Sequence, residues 1–552
     1  MRTALFVMAI TLASLTTDTS ASASKSTLAD NYVRLIESSL RAQLDADNFI
    51  SPTHRFDREL VLAHLLLHEG RELDWANAYL ADFELDDQLR DWGDDEPDTP
   101  DWNFTGIKLL RLFKDFEKDP ILKPEAQHRL ITLLSTFPQP RVRHNRDNDR
   151  RAVWPGIHTE NHDLILLTIG YFRAQLNGED LKPYEQHLAR SLAWRIRFGW
   201  LEANSPTYQA RYVEPLGVLV DHAPNEAIRE GASNALNHIL SERAMFSVQS
   251  QLAGPQARTR GRPYEPSRDR MLPHLHLWFG WALPADFIAE PYHDAYWLLR
   301  SDFTPDPAVV ALQAQRQSPQ APTRFYRGMR TRRGGEYTEF RYLFSPHVAM
   351  GSQDWRGSTR RHRYHNALLA HPRGEPVAVW AIYQPEDGSG DPRFGANESV
   401  QWGAVLIVRG EVDFTEGAAD EQIDSWRVIH TPWAATAIHE LPNKWKLLVA
   451  IDLKREGIDL THAIKELAPP AWNEPNSIQW ISRDGMPIRF DLRTEWKHHD
   501  VYLDGVRVHR PHGMLHDSPK LSSWYGTGII DIVPTKGPSR RLTTEPLNEL
   551  LR

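Results

Sequence analysis

Two short stretches of this 552-residue chain hold side chains that can move protons and neutralise a carboxylate, each at the start of an apolar helical pattern. The first, Trp154-Pro155-Gly156-Ile157-His158-Thr159-Glu160-Asn161-His162-Asp163, leads into the apolar run Leu164 to Leu176. Thr159 fits the N-cap and His162 then takes the third helical position. Asn161 and His162 so lie in the first turn, beside free backbone N–H groups and the positive helix end. The second runs Trp200-Leu201-Glu202-Ala203-Asn204-Ser205-Pro206-Thr207-Tyr208-Gln209-Ala210-Arg211-Tyr212. Ser205 as N-cap and Pro206 at the first helical position are a start signal, after which Tyr208, Arg211 and Tyr212 share one face. The plain alternative is structural, with Asn161 and His162 as caps and Tyr212 facing the core.

Arginines gather in three further stretches: Arg141, Arg143, Arg146, Arg150 and Arg151; Arg258, Arg260, Arg262, Arg268 and Arg270 around Tyr264; and Arg356, Arg360, Arg361 and Arg363. Guanidinium groups pair with carboxylate or sulfate in a bidentate fashion, so such loops suit capture of an anion; solvated loop charge is the alternative. Together these residue types match one reaction. Breaking a uronic-acid glycoside by β-elimination removes the C5 proton beside a carboxylate whose charge opposes the carbanion. The carboxylate must be neutralised, a base must reach C5 and an acid must reach O4. Asn161 and Arg211 are the neutralising types, and Tyr208 and His162 the proton-transfer types.

The elements that must position them fall into two halves. Leu28 to Leu44, Asp57 to His68, Ile107 to Phe116, Pro124 to Phe137, Glu160 to Leu176, Leu181 to Phe198, Pro206 to His222 and Asn225 to Phe246 carry helical apolar spacing. Successive helices without strands predict antiparallel pairs stacked in a layer or ring over residues 24–302. The Pro- and Gln-rich stretch 303–325 reads as a linker. From 326 to 552 the runs shorten and become β-branched or aromatic (336–344, 376–383, 403–409, 446–453, 488–492 and 501–508), the pattern of an antiparallel β-sandwich. The fold class expected is therefore α+β and multidomain.

Composition narrows the rest. Basic residues number 64 and acidic 73, a net charge of −9, which argues against nucleic acid as a partner. Cysteine is absent, which excludes disulfides, thiolate metal sites and a thiol nucleophile. Arg2, the apolar run Ala4 to Leu15 and Ala21-Ser22-Ala23 read as a cleaved signal peptide over residues 1–23, which predicts a secreted or periplasmic protein without a membrane span. No cofactor is expected. A divalent metal has ligand types at His498-His499-Asp500 and at His274 and His276, but adjacent strand residues face opposite ways.

The domain order, with Thr159-Glu160-Asn161-His162 and Asn204-Ser205-Pro206-Thr207-Tyr208, resembles the polysaccharide lyases built from an incomplete (α/α) toroid and an antiparallel β-sandwich, among them alginate, hyaluronate and heparinase II/III-like lyases. The resemblance implies an acidic polysaccharide as substrate, Asn161 as neutraliser, Tyr208 as base or acid, His162 as its partner, and Arg211 or Arg262 on the substrate. Trp154, Glu160, Glu202 and Tyr264 complete the expected substrate contacts, and His362 or His365 is the histidine such lyases bring from the sandwich. Two other readings compete. An inverting hydrolase on a similar toroid would use two carboxyls such as Glu160 and Glu202, with Asp163 and Glu214 also available. A non-catalytic glycan-binding protein would use the 19 tryptophans.

Overall fold

The computed structural model describes residues 25–45, 52–84, 102–137, 160–200, 204–249, 251–254, 269–283, 295–315, 323–330, 337–354, 365–382, 399–473, 476–492, 499–508, 514–524 and 526–551. A helical region comes first and antiparallel sheets follow. The helices are α1 (Lys25–Asp45), α2 (Pro52–Glu69), α3 (Leu73–Ala81), α4 (Trp102–Phe116), α5 (Pro124–Ser135), α6 (Glu160–Leu176), α7 (Lys182–Phe198), α8 (Gln209–His222), α9 (Glu226–Phe246), α10 (Leu272–Phe279) and α11 (Pro307–Gln315).

From α1 to α8 burial alternates, and α9, next in the series, is also buried over most of its circumference. The described side chains of α4, α6 and α8 are buried over most of their circumference, as is α2 from Leu60 to Leu67, whereas α1, α3, α5 and α7 bury mainly one face. Helices apolar all round belong inside and one-sided helices outside, so α2, α4, α6 and α8 form an inner set. Thr105 Oγ donates to Asp57 at 3.0 Å near the starts of α4 and α2, and His64 meets Asp115 at 2.8 Å near their ends. Those two helices are thus parallel, and α8 joins them with His222 on Asp115 at its own end.

Among the described residues every strand pairing is antiparallel. A ten-stranded sheet runs from Glu411–Phe414 at one edge through Val348–Asp354, Tyr337–Phe344 and Thr323–Arg330 to Met514–Asp517 and finally Arg540–Thr543. Six-stranded and five-stranded sheets follow. Period-two alternation sorts their side chains. In the strand His365–Leu369, Leu368 joins the core shared with the helices, while Ala367 and Leu369 join a core shared with Leu406 and Val408 of the six-stranded sheet. Val405 and Ile407 face the other way, onto Trp480 and Phe490 of the five-stranded sheet. Burial on both faces explains the unbroken apolar runs 405–408 and 447–451.

Several expected elements differ, among them the helix expected from Ile107, which begins at Trp102. The stretch read as a linker at 303–325 contains α11, whose Ala308, Val309 and Leu312 are buried. Asp306 caps it by accepting the Ala308 N–H, with Pro307 at the first helical position. The stretch 501–508 is two strands, Asp500–Leu503 and Val506–Arg507, because Asp504 and Gly505 both take positive φ and close a hairpin. The helix expected from Pro206 begins at Gln209, because the Pro206 carbonyl accepts the Arg270 N–H and Ser205 Oγ accepts the Tyr208 N–H, which holds the chain in a separate turn. The proposed signal peptide, 1–23, lies outside the described residues. No described helix is long and apolar enough to cross a membrane.

Candidate functional site

The amino-terminal ends of α4, α6 and α8 meet at the ring of Phe104. His162, in the first turn of α6, packs its ring 5.0 Å from that of Phe104, and the Arg211 guanidinium, in the first turn of α8, lies 4.1 Å from the same ring centroid. Cation–aromatic contact of this kind holds a charge in place without neutralising it. Asn103, beside Phe104, places its amide nitrogen 2.6 Å from His162 Nδ1. An amide and an imidazole at this distance fix the orientation of the ring through its Nδ1 and leave Nε2 as the other ring nitrogen. Three helix starts at one place also add their positive dipole ends there.

Tyr208 stands immediately before α8 and is half-buried. Its turn is fixed from several sides. Arg243 of α9 donates to the Ser205 carbonyl at 3.2 Å and to the Gln209 side chain, and pairs with Asp269, whose carboxyl burial pushes up against the pull of that arginine. Asn204, with φ of 52°, donates its amide to the Tyr342 hydroxyl at 2.6 Å, and Tyr342 stacks on Phe246 at 4.3 Å. Tyr342 belongs to the strand Tyr337–Phe344, so the sheets reach the turn that carries Tyr208. Gly351, opposite Tyr342, is the position where this junction admits no side chain: a Cβ there would sit 1.5 Å from the Gly254 carbonyl oxygen.

The expected site residues thus separate into groups. His162 and Arg211 come together on Phe104, with Asn161 between Glu160 and His162 in the same first turn. Asn161 and Arg211 are buried, not at the surface as helix-start positions suggest. Glu160, expected on substrate, turns into the core instead. Its carboxylate pairs with Arg195 and accepts the Tyr212 hydroxyl at 2.8 Å, while Arg195 and Tyr212 both pack on Trp200. Two buried donors on one carboxylate make it a structural hub. Trp154, Glu202, Arg262, Tyr264 and His362 lie outside the described residues. So do the arginines of all three clusters except Arg270, whose backbone N–H bonds Pro206. His365 opens the strand His365–Leu369. Asn103, Phe104, Asn204 and Tyr342 were not anticipated as site residues. Asn103 had a signal, a polar residue opening an apolar helix as Asn161 does.

Of the expected metal ligands His498 lies outside the described residues, and the others have these partners. His274 Nε2 accepts from Trp297 at 3.2 Å, His276 Nδ1 faces the Trp281 carbonyl, His499 packs against Trp445, and Asp500 pairs with Arg507. Trp200, Trp297 and Trp426 are fully buried, so much of the tryptophan content serves packing. The opposite ends of the inner helices carry a closed charge network. Arg111 bonds Asp115 at 2.8 Å and Asp221 at 2.6 Å, and His64 and His222 complete the bonds to Asp115. Burial opposes ionisation of Asp115, but Arg111 and the two histidines outweigh it and hold the carboxyl well below its usual range. Burial likewise holds the His64 imidazole below its ordinary value. Compared with known proteins, the chain matches no family model and no curated sequence.

Proposed function

We propose that this chain is an exported polysaccharide lyase that cleaves an acidic, uronic-acid-containing polysaccharide by β-elimination. The observation that carries the reading is the shared Phe104 ring, which gathers an imidazole and a guanidinium at three helix starts, with Tyr208 immediately before one of them. In this reading Arg211 and Asn161 neutralise the substrate carboxylate. Their burial strengthens the attraction, since a charge interacts more strongly where water is excluded. His162, held through Nδ1, presents Nε2 to the substrate or to the phenol oxygen. Tyr208 takes the C5 proton as phenolate, or delivers one to O4 as phenol, and the C4–O4 bond breaks to leave a C4–C5 double bond.

The same reading makes the helical region an incomplete (α/α) toroid, with α2, α4, α6 and α8 as its inner helices, and makes the sheets that share a core a β-sandwich. The alternation of all-round and one-sided burial supports the first part, and the Leu406 and Val408 core supports the second. Residues 1–23 are then the export signal of a secreted or periplasmic enzyme. The hydrolase alternative is weakened: Glu160 is engaged by Arg195 and Tyr212, and Glu214 accepts the Tyr296 hydroxyl at 3.1 Å.

The test is a panel of alginate, hyaluronan, chondroitin, heparan and other uronans with the purified chain, followed by ultraviolet absorbance of unsaturated ends. Product on at least one member, lost in Tyr208→Phe, is expected. No absorbance on any member, with reducing ends released instead, overturns elimination in favour of hydrolysis.

A further inference from the structure

A second cluster of chemistry-bearing side chains lies where α9 faces the ten-stranded sheet, away from Phe104 in sequence and serving none of the steps above. His238 and Glu242 stand one turn apart on α9, and His516 comes from the strand Met514–Asp517. All three have a relative exposure of 0%. Glu242 Oε1 lies 2.9 Å from His516 Nε2 and 3.7 Å from His238 Nε2, and the two ring nitrogens are 3.4 Å apart. The rings stand almost perpendicular, at 88°.

Those separations have a natural reading. Ligands about 2.0–2.1 Å from a tetrahedral zinc ion are about 3.3 Å from one another, and the three measured distances straddle that value. Two imidazole nitrogens and one carboxylate oxygen are also the borderline donors such an ion takes, in a chain that has no cysteine to offer. The Glu242–His516 and His238–His516 contacts can also be hydrogen bonds; a cation shared by all three would add the His238–Glu242 contact, which at 3.7 Å is beyond hydrogen-bond range.

We propose that His238, Glu242 and His516 bind one divalent transition-metal ion of the zinc class, which pins α9 to the ten-stranded sheet. Each imidazole donates its Nε2 lone pair, any proton there leaving to solvent as the ion enters, and the carboxylate offsets half of the ion's charge. Burial makes the role structural. The ion fastens the helical layer to the strand next to Thr323–Arg330, and with it the junction on which Asn204 and Tyr342 depend. The proposal is independent of the elimination chemistry.

The test uses the full chain purified after growth with added zinc. Elemental analysis after exhaustive dialysis should find about one zinc per chain. Stripping with dipicolinate should lower Tm by at least about 4 °C, and zinc should restore it. Cobalt(II) in its place should give the visible absorption of a four-coordinate site. Glu242→Gln and His516→Gln should each lose the ion; if either fails to fold, the stripped wild-type chain still gives the reading. Zinc below about a tenth of an equivalent after re-addition, with Tm unmoved by chelator or metal, leaves only a hydrogen-bonded cluster and overturns the proposal. So does a folded double variant that keeps its zinc.

Discussion

The inner helices carry different side-chain chemistry at their two ends. At the carboxyl ends of α2, α4 and α8, each charged group meets its complement. Arg111 spans Asp115 and Asp221, His64 and His222 close on Asp115, and Trp297 covers the guanidinium at 5.2 Å. At the amino ends of α4, α6 and α8, Arg211 lies on an aromatic face and His162 is held through a neutral amide. The same helices thus carry an ion-pair network at one end and, at the other, a guanidinium and an imidazole on one aromatic ring. Saturation is what stability asks of buried charge. A cation set against a ring and three helix dipoles, with a half-buried phenol beside it, is what recognition of an anion asks. On the proposed function, structure belongs to one end and chemistry to the other.

That assignment breaks if variants at the two ends behave alike. The largest expected effect is at the amino ends: Tyr208→Phe should lower kcat for unsaturated-product formation by about 10²–10⁴, with Tm unchanged. Steady-state kinetics beside a thermal melt reads both. A fall in Tm with kcat per folded molecule preserved would make Tyr208 a packing residue. Next comes the mirror experiment, Asp115→Asn. It strands Arg111 against one carboxylate and should cost about 3–5 kcal/mol in urea unfolding, with activity per folded molecule close to wild type. A third variant sharpens the contrast within one site. Arg211→Lys keeps the charge but loses the planar stack on Phe104, and should lower kcat/KM roughly tenfold. Equal activity would mean that only the charge at this position matters.

How much of this contrast the sequence reveals depends on the range of the interaction. Helix α6 is legible end to end, Glu160 to Leu176, because its apolar pattern and its first turn are local. The order of helices before strands is legible for the same reason. Long-range partners are not. Asn103 is 59 residues from His162, and Tyr342 is 138 from Asn204. The spacing starts a helix at Ile107, five residues late, which hid both Asn103 and Phe104. Glu160 shows the opposite failure. Its position beside Asn161 suggests substrate, yet Arg195 and Tyr212, brought in by α7 and α8, claim it. Local pattern shows which residues stand at a helix end but not which way each turns.

The smallest effect concerns acid. Burial places the folded-state value of His64 below its ordinary 6.5, with Asp115 only partly opposing the shift. The sign follows from linkage. Below about pH 6.5 the unfolded chain takes up a proton that folded His64 declines, so stability falls as pH drops. Asp115, held below its ordinary 3.8, adds a second loss only in stronger acid. Between about pH 6.5 and about pH 5 the His64 contribution adds to those of His68, His371 and His439, which burial also lowers, and its own slope is at most about 1.4 kcal/mol per pH unit, the value for one proton. His64→Gln removes the titration while its amide can still donate to Asp115, so urea midpoints across that interval should flatten relative to wild type. Tyr208→Phe, at the other end of the inner helices, should leave the slope as it is. If His64→Gln kept the wild-type slope, the carboxyl-end network would not be the acid-sensitive element, and the division of labour between the two ends would lose its thermodynamic half.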